Sequence, residues 1–181
     1  MLNQGIIAAR EMGVTSTPAA SLERLYLAHR DSVVRYLRSI SPSEDEAFET
    51  AALVFERAFA TIAREPDVEL GIGWLLRTAR NAAVDQGRRR RVRQVAVTGL
   101  SATTAHEPSL EAGYLERERA LALRAALSTL PDPTRDAIVL RYALGLPART
   151  IGEVIGRRED ATQKLITRGL VRLREVLDER S

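Results

Sequence analysis

The spacing of apolar residues constrains this sequence most, because it follows the period of an α-helix in every patterned segment. No segment alternates apolar and polar residues as a half-buried strand does. The sequence therefore predicts an all-α protein. The segments with helical spacing are residues 21–40, 43–62, 74–84 and 117–177.

A stretch without this spacing divides the pattern into two parts. Residues 94–116 are mostly small or polar, with two glycines and a proline. A connection of this length without structure of its own is uncommon inside a compact domain. We therefore predict two small helical domains, at 21–93 and 117–181, joined by a flexible linker at 94–116. Residues 1–20 lack the spacing and are predicted to be a flexible tail.

Capping residues and breakers predict where several helices begin and end. Ser21 is the expected N-cap of the first helix, and Ser43 that of the second, with Glu46 completing a capping box. We expect the third helix to begin near Trp74 and the second domain to begin near Glu116. Its later helices are expected at 134–143, 147–155 and 160–177, the last capped by Asp160.

The composition argues against several classes of function. The 181 residues include no cysteine and only two histidines, so thiolate or histidine metal sites and cysteine nucleophiles are not expected. There is no glycine-rich phosphate loop, nucleophile–base pair or carboxylate cluster at metal-binding spacing, so we predict neither an enzyme nor a cofactor. No apolar run approaches the ~20 residues of a membrane span, and no signal peptide is apparent. A cytoplasmic location is the expectation.

One short run of the chain is strongly basic. The net charge is +3, and all but one of the 27 basic residues are arginine, five of them within residues 88–93. Such a run can neutralise nucleic-acid phosphates and release their counterions. The codon usage of a GC-rich genome also explains many arginines, and the run also fits a solvated tail or a site for an acidic protein.

The helix that follows Trp74 carries side chains suited to reading bases. Arg77, Arg80 and Asn81 recur on a face other than the apolar one. Arginine and asparagine read base edges, and an aromatic ring stacks on an unpaired base. The alternative is that Trp74 anchors the core and the polar residues form a solvated face.

Residues 134–177 have the pattern of a helix-turn-helix. A short helical segment and a tight turn at 156–158 precede a long helix with an apolar back and a polar front. This is the arrangement that docks in the major groove of DNA. A plain helical bundle with a charged surface is the alternative. The polar front consists of Gln163, Lys164, Thr167, Arg168 and Arg172.

Two stretches together resemble the extracytoplasmic-function sigma factors of the sigma-70 family. WLLRTARNAAVDQGRRRR is similar to their minus-10-reading segment, with its Trp-Leu, its Ala-x-Asn and its Asp followed by arginines. LSTLPDPTRDAIVLRYALGLPARTIGEVIG is similar to the start of their minus-35-reading domain. The resemblance covers residues 21–93 and 117–177, and two motif sets in the family's order make it specific.

The resemblance implies a transcription initiation subunit that does not catalyse a reaction. Such a protein binds the clamp helices and the flap of core RNA polymerase, recognises double-stranded promoter DNA and stabilises the melted strands. An anti-sigma factor or an accessory activator would be a further partner. The alternative is a sigma-like DNA-binding regulator that does not recruit polymerase by itself.

Site residues follow from the resemblance by position. The loop 65–73 would hold a base flipped out of the minus-10 non-template strand. The minus-10 contacts would be Trp74, Arg77, Arg80, Asn81, Arg88 and Arg89. The minus-35 contacts would be Arg141, Gln163, Lys164, Thr167 and Arg168. The polymerase contacts would be Glu49, Ala52, Phe55 and Glu56.

The sequence departs from the family pattern at several of these positions. Glu49 and Ala52 stand where the family usually has Asp and Gln, which bears on the strength of clamp binding. Gly152 stands where Ala is usual, at a cost of about 1 kcal/mol of helix preference. Gly87 replaces a usual apolar residue, and Ala161-Thr162 replaces a usual Thr-Val.

Overall fold

The computed structural model describes residues 17–96 and 114–179 of the chain. All seven elements in these residues are helices, which confirms the all-α prediction. Residues 18–20 of the predicted tail and residues 94–96 and 114–116 of the predicted linker are helical, and most of both segments lies outside the described residues. None of the described helices is long and apolar enough to cross a membrane. The helices are α1 (Pro18–Ile40), α2 (Glu44–Arg64), α3 (Ile72–Ala96), α4 (Tyr114–Ser128), α5 (Asp132–Tyr142), α6 (Ala148–Ile155) and α7 (Glu159–Asp178).

The starts of the helices test the predicted caps. Ser43 caps α2 as expected, since its hydroxyl oxygen accepts a hydrogen bond from Glu46 N at 3.2 Å. The cap of α1 is Thr17 rather than Ser21, because Pro18 is well suited to the first turn of a helix. Likewise α7 begins at Glu159 with Arg158 at its N-cap, so the predicted Asp160 cap is wrong. Asp160 lies instead in the first turn, where the helix dipole favours acids.

The first half packs α1, α2 and α3 against one another. Phe48, Ala52 and Phe59 are exposed, because the buried side of α2 lies beside them on the helix. Tyr36 of α1, which the pattern did not single out, is completely buried. The buried side of α2 is formed by Ala47, Thr50, Ala51, Val54, Phe55, Ala58 and Ile62.

The second half packs α4, α5 and α6 around α7. Gly152 has a steric role here that its helix preference does not show. A Cβ at this position would lie 2.4 Å from the carbonyl oxygen of Arg157, whose N–H donates to Gly152 O at 2.8 Å. The tight turn between α6 and α7 therefore requires glycine at 152. Leu121 and Leu123 are 42% and 44% exposed on α4.

The two halves also pack against each other, which the sequence did not predict. Helix α3 contacts α6, and α1 contacts α5. Buried side chains of both halves join in one large apolar cluster, and a second, smaller cluster lies within the second half, among α4, α5 and α7. The large cluster includes Leu75, Leu76 and Ala79 from the first half and Ala137, Leu140, Ile151 and Val154 from the second.

Candidate nucleic-acid interface

A cleft of about 370 Å³ opens between the C-terminal part of α2 and the N-terminal part of α3. Trp74 lines this cleft and also packs against the apolar cluster, so it helps to anchor the core and can be reached from the cleft, while its stacking on a base stays a prediction. Asn81 lies in the wall of the cleft and is exposed. The other lining residues are Arg57, Ala60, Thr61, Arg64 and Thr78.

Helical spacing explains why these side chains share the cleft. Arg57, Thr61 and Arg64 are separated by four and three positions, so they lie along one side of α2. Trp74, Thr78 and Asn81 have the same spacing on α3. The predictions named Trp74 and Asn81 but missed Arg57 and Arg64. The spacing of those two arginines, seven positions apart, is the signal that could have found them.

The arginine run is part of a helix rather than a tail. Helix α3 continues through Gly87 to Ala96, and Arg88 and Arg89 are exposed on it. Arg90 forms an ion pair with Glu46 at the start of α2. This ion pair ties the run to the first half of the protein. The tail interpretation is therefore wrong for residues 88–92.

Two predicted minus-10 residues, Arg77 and Arg80, contact the second half of the chain. The Arg77 Nε–H donates to the carbonyl oxygen of Glu153 at 2.7 Å. The Arg80 Nε–H donates to Asp136 Oδ2, also at 2.7 Å. The structure therefore places these two arginines at the junction between α3 and the helices α5 and α6, outside the cleft lining.

The Arg80–Asp136 pair is buried between the two halves. The side chain of Asp136 is 3% exposed and that of Arg80 is 18% exposed. Burial raises the pKa of Asp136, and the hydrogen bond and positive charge of Arg80 oppose this rise. Tyr36 lies in the same environment. Burial, and then the negative charge of Asp136, raise the pKa of Tyr36 well above its usual value.

The front of α7 is exposed in the way that a DNA-reading helix requires. Gln163, Lys164, Thr167 and Arg168 are all exposed, and the opposite side of the helix is buried through Ile166, Leu173 and Val176. Arg141, predicted to support this surface, is exposed at the end of α5 and donates to Leu146 O at 3.0 Å. The structure thus brings the first four side chains together on one face.

The residues predicted to contact polymerase lie along α2. Glu49, Ala52 and Glu56 are exposed, whereas Phe55 is buried. The Phe55 ring packs edge-to-face on Tyr26 of α1, with the ring centroids 4.8 Å apart. Phe55 therefore supports this surface from beneath.

Exposed aromatic rings flank these predicted polymerase contacts. Phe48 is 43% exposed and Phe59 is 44% exposed, and with Ala52 between them they form one stripe along the helix. We call Phe48, Ala52 and Phe59 the apolar stripe. An exposed row of this kind is a feature of surfaces that bind another protein.

The acidic residues at the start of α2 pair with arginines. Glu44 Oε1 lies 2.9 Å from Arg38 NH2, and Glu46 pairs with Arg90. Within the described parts of the chain, no group of three or more histidine or acidic side chains is arranged to hold a metal ion. The charges at this helix start therefore serve packing between helices.

Comparison of the sequence with known proteins gives consistent matches. Residues 120–173 match the family described as sigma-70, region 4. The chain is 30% identical over 163 residues to the ECF RNA polymerase sigma factor SigE of Mycolicibacterium smegmatis, covering 89% of this chain and 63% of that protein. It is 28% identical over 149 residues to the probable RNA polymerase sigma factor RfaY of Xanthomonas campestris pv. campestris, covering 79% of this chain and 36% of that protein. The chain thus spans less than two thirds of the length of either relative.

Two solved structures share the fold. One is the sigma factor RpoE in complex with the anti-sigma factor NepR from Bartonella quintana, with a TM-score of 0.71 and 21% identity over 86% of this chain and 96% of that chain. The other is CnrH in complex with the cytosolic domain of CnrY, with a TM-score of 0.67 and 22% identity over 97% of each chain. Both matches extend over the two halves of the protein.

Proposed function

Because the chain belongs to the extracytoplasmic-function sigma factors, we propose that it binds core RNA polymerase, recognises minus-35 and minus-10 promoter elements, and promotes melting of the DNA. One observation carries this proposal. The same chain bears a helix with an exposed polar front in its second half and a cleft lined by Trp74, Asn81 and two arginines in its first half. A two-element promoter reader needs both surfaces.

The second half supports recognition of the minus-35 element. Helix α7 presents Gln163, Lys164 and Arg168 to solvent, and its apolar back is buried, so the helix is held rigidly behind these side chains. Arginine and lysine pair with guanine edges and glutamine with adenine in the major groove. We propose that the front of α7 enters that groove.

The cleft in the first half supports capture of an unpaired minus-10 base. Stacking on an aromatic ring contributes roughly 1–3 kcal/mol per base, which can offset much of the few kcal/mol that unstacking and unpairing cost. Trp74 supplies the aromatic surface and Asn81 the hydrogen-bonding groups. Arg57 and Arg64 lie where they could neutralise the adjoining phosphates.

The apolar stripe supports binding to polymerase. Exposed Phe48 and Phe59 offer apolar area next to the charged Glu49 and Glu56, which matches an interface with an apolar centre and a polar rim. The departures at Glu49 and Ala52 are both on this exposed surface. They keep open the second candidate, a DNA-binding regulator that does not recruit polymerase by itself.

An anti-sigma factor is a proposed further partner. One solved structure of the shared fold contains a sigma factor bound to an anti-sigma factor, and the other contains CnrH bound to the cytosolic domain of CnrY. By analogy, we propose that a protein of this kind covers the apolar stripe and so competes with polymerase. We therefore expect this partner and polymerase to compete for the apolar stripe.

The proposal is tested by adding the purified chain to core bacterial RNA polymerase and transcribing fragmented genomic DNA. We expect a stable complex and discrete new transcripts. Phe48→Ala and Phe59→Ala should weaken the complex, whereas Val92→Ala, a matched change at a 65% exposed apolar residue of α3, should not. DNA binding without polymerase binding would favour the regulator.

A further inference from the structure

The polar front of α7 begins with an acidic residue, Asp160, in the first turn of the helix. Asp160 precedes Lys164 by four positions and Thr167 by seven, so it lies on the same side of the helix as both. Its side chain is 64% exposed. The N-terminal residues of a recognition helix are the ones that contact base edges. Asp160 therefore stands at the end of α7 that would reach the bases.

The backbone on both sides of Asp160 is held in place. The Arg157 N–H donates to Gly152 O at 2.8 Å, which fixes the turn before α7. Thr162 is completely buried, and its hydroxyl donates to Arg158 O at 2.9 Å. A side chain on a rigid element is positioned more precisely than one on a loop. The first turn of α7 therefore presents the Asp160 carboxylate in a defined direction.

The carboxylate of Asp160 does little for the stability of the fold. Arg158 is the N-cap of α7, so Asp160 does not cap the helix. Asp160 Oδ1 lies 3.4 Å from Arg158 Nε, and the two side chains are 64% and 90% exposed. An exposed ion pair of this kind contributes little to stability. Arg158 can therefore turn to a DNA phosphate and leave the carboxylate to a base.

A carboxylate on this front restricts which bases can lie against it. It repels the phosphates of every DNA sequence, so it lowers affinity unless a base contact offsets the repulsion. An ionised carboxylate accepts hydrogen bonds and donates none. In the major groove cytosine presents its N4 amino group, whereas guanine and thymine present acceptors, and adenine has the N7 acceptor beside its amino group. The chemistry of this position therefore favours cytosine.

We propose that Asp160 is a specificity-determining residue, whose carboxylate accepts a hydrogen bond from the N4 amino group of one cytosine in the minus-35 element. The proposal rests on the proposed function, because α7 must enter the major groove at that element. Gln163 and Lys164, about one turn further along α7, then face the neighbouring base pairs. Guanine or thymine at the position of the cytosine would set an acceptor against the carboxylate and would be rejected.

Selection from a pool of random DNA duplexes tests this contact. The full chain, alone and with core RNA polymerase, is incubated with the pool, and the bound DNA is sequenced. We expect the parent to enrich a minus-35 motif that has a cytosine at one position. Asp160→Asn should prefer adenine at the same position, because the amide pairs with adenine N6 and N7. Asp160→Ala should lose the preference.

Glu159→Gln is the matched control, because it removes the same charge from the same turn of α7. Glu159 precedes the buried Thr162 and Ile166 by three and seven positions, so it lies nearer the packed side of the helix than Asp160 does. Both acids are exposed, and neither replacement disturbs the core. We expect Glu159→Gln to bind all sequences slightly more tightly and to keep the cytosine.

Affinities for single duplexes give the size of the effect. Replacing the selected cytosine by thymine should weaken binding of the parent and of Glu159→Gln roughly fivefold or more, the lower range for a good base contact. The same replacement should leave the affinity of Asp160→Ala nearly unchanged. A variant at Asp160 that gains affinity for every duplex equally, as Glu159→Gln does, would show that the carboxylate acts only through its charge and would overturn the proposal.

The selection also separates this proposal from the proposed function. If the parent and Asp160→Asn enrich the same motif, Asp160 reads no base, and recognition of the minus-35 element by the rest of α7 stands. If the parent enriches no motif, either alone or with polymerase, then recognition of the minus-35 element fails and the Asp160 contact fails with it. A change from cytosine to adenine in Asp160→Asn supports both.

Discussion

Gly169 of α7 approaches Thr134 of α5 so closely that a Cβ on Gly169 would lie 2.4 Å from Thr134 Cγ2. The same Cβ would lie 2.9 Å from Ile138 Cδ1. Glycine at this position lets the two helices pack at short range. The contact lies directly behind Arg168, and it therefore helps to set how α7 presents its polar front.

Gly169→Ala should lower the free energy of unfolding by about 1–3 kcal/mol, the usual cost of forcing a methyl group into a packed interior. Gly87→Ala is the matched control, because no atom lies within 4 Å of its added Cβ. That change should raise the free energy of unfolding by about 0.5–1 kcal/mol, since alanine loses less conformational entropy in a helix. Urea unfolding measures both. Similar values for the two variants would contradict the close packing.

Tyr36→Phe should change the response to alkaline pH. The folded protein holds the pKa of Tyr36 above 10.0 through burial and the charge of Asp136. As the pH rises past the pKa of the unfolded chain, the unfolded chain loses the phenolic proton while the folded protein keeps it. The free energy of unfolding therefore falls. Replacing Tyr36 by Phe should make this fall less steep.

The free energy of unfolding at neutral and alkaline pH checks this prediction. At neutral pH, Tyr36→Phe should have a small effect, because the buried hydroxyl it removes lies near Asp136 but makes no hydrogen bond of good geometry. Tyr142→Phe, at a 63% exposed ring, is the control and should keep the alkaline slope of the parent. An unchanged slope in Tyr36→Phe would exclude a raised pKa at this residue.

Asn81→Ala should impair open-complex formation more than closed-complex binding. Asn81 lines the cleft beside Trp74, so it would act only after a base has left the duplex. Permanganate reactivity of unpaired thymines measures melting, and a gel-shift assay measures binding. Val84→Ala, three positions along the same helix and outside the cleft lining, should leave both as in the parent. Normal melting by Asn81→Ala would remove this residue from the base-binding site.

Arg168→Ala should relax discrimination at one minus-35 position by roughly 1–3 kcal/mol if the contact to a base is bidentate. Affinities for the promoter and for single-base variants of it measure this loss. Arg174→Ala is the control, because Arg174 is exposed on another side of α7 and pairs with Asp178. Equal losses on specific and random DNA would show that Arg168 contacts only phosphate.

Local features were predictable because their causes are local. The apolar spacing identified every described helix, and Ser43 was correctly assigned as a cap because its hydroxyl acts on Glu46, three positions away. The errors at Ser21 and Asp160 are local as well. Nearby residues compete to be the N-cap of a helix, and the alternative starts differ little in free energy. The exposed front of α7 also follows from spacing, because its buried back is strongly apolar.

The candidate site was only partly predictable. Trp74 and Asn81 carry a recognisable motif, but Arg57 and Arg64 lie on another helix and join the cleft only when α2 packs beside α3. The exposure of the apolar stripe was not predictable for a similar reason. A helical period shows that one side of α2 is apolar, and the positions of α1 and α3 decide which part of that side is covered.

The sequence by itself determined the set of helices, the motifs of the sigma-70 family and the polar front of α7, because each depends on residues near one another in the chain. Only the tertiary structure decided that Arg80 meets Asp136, 56 positions away, and that Tyr36 is buried beside them. The free energy of such a contact depends on burial and on distances between helices. The spacing of apolar residues in the sequence contains neither quantity. It can assign a residue to a face of a helix, but it cannot identify the residue's partner.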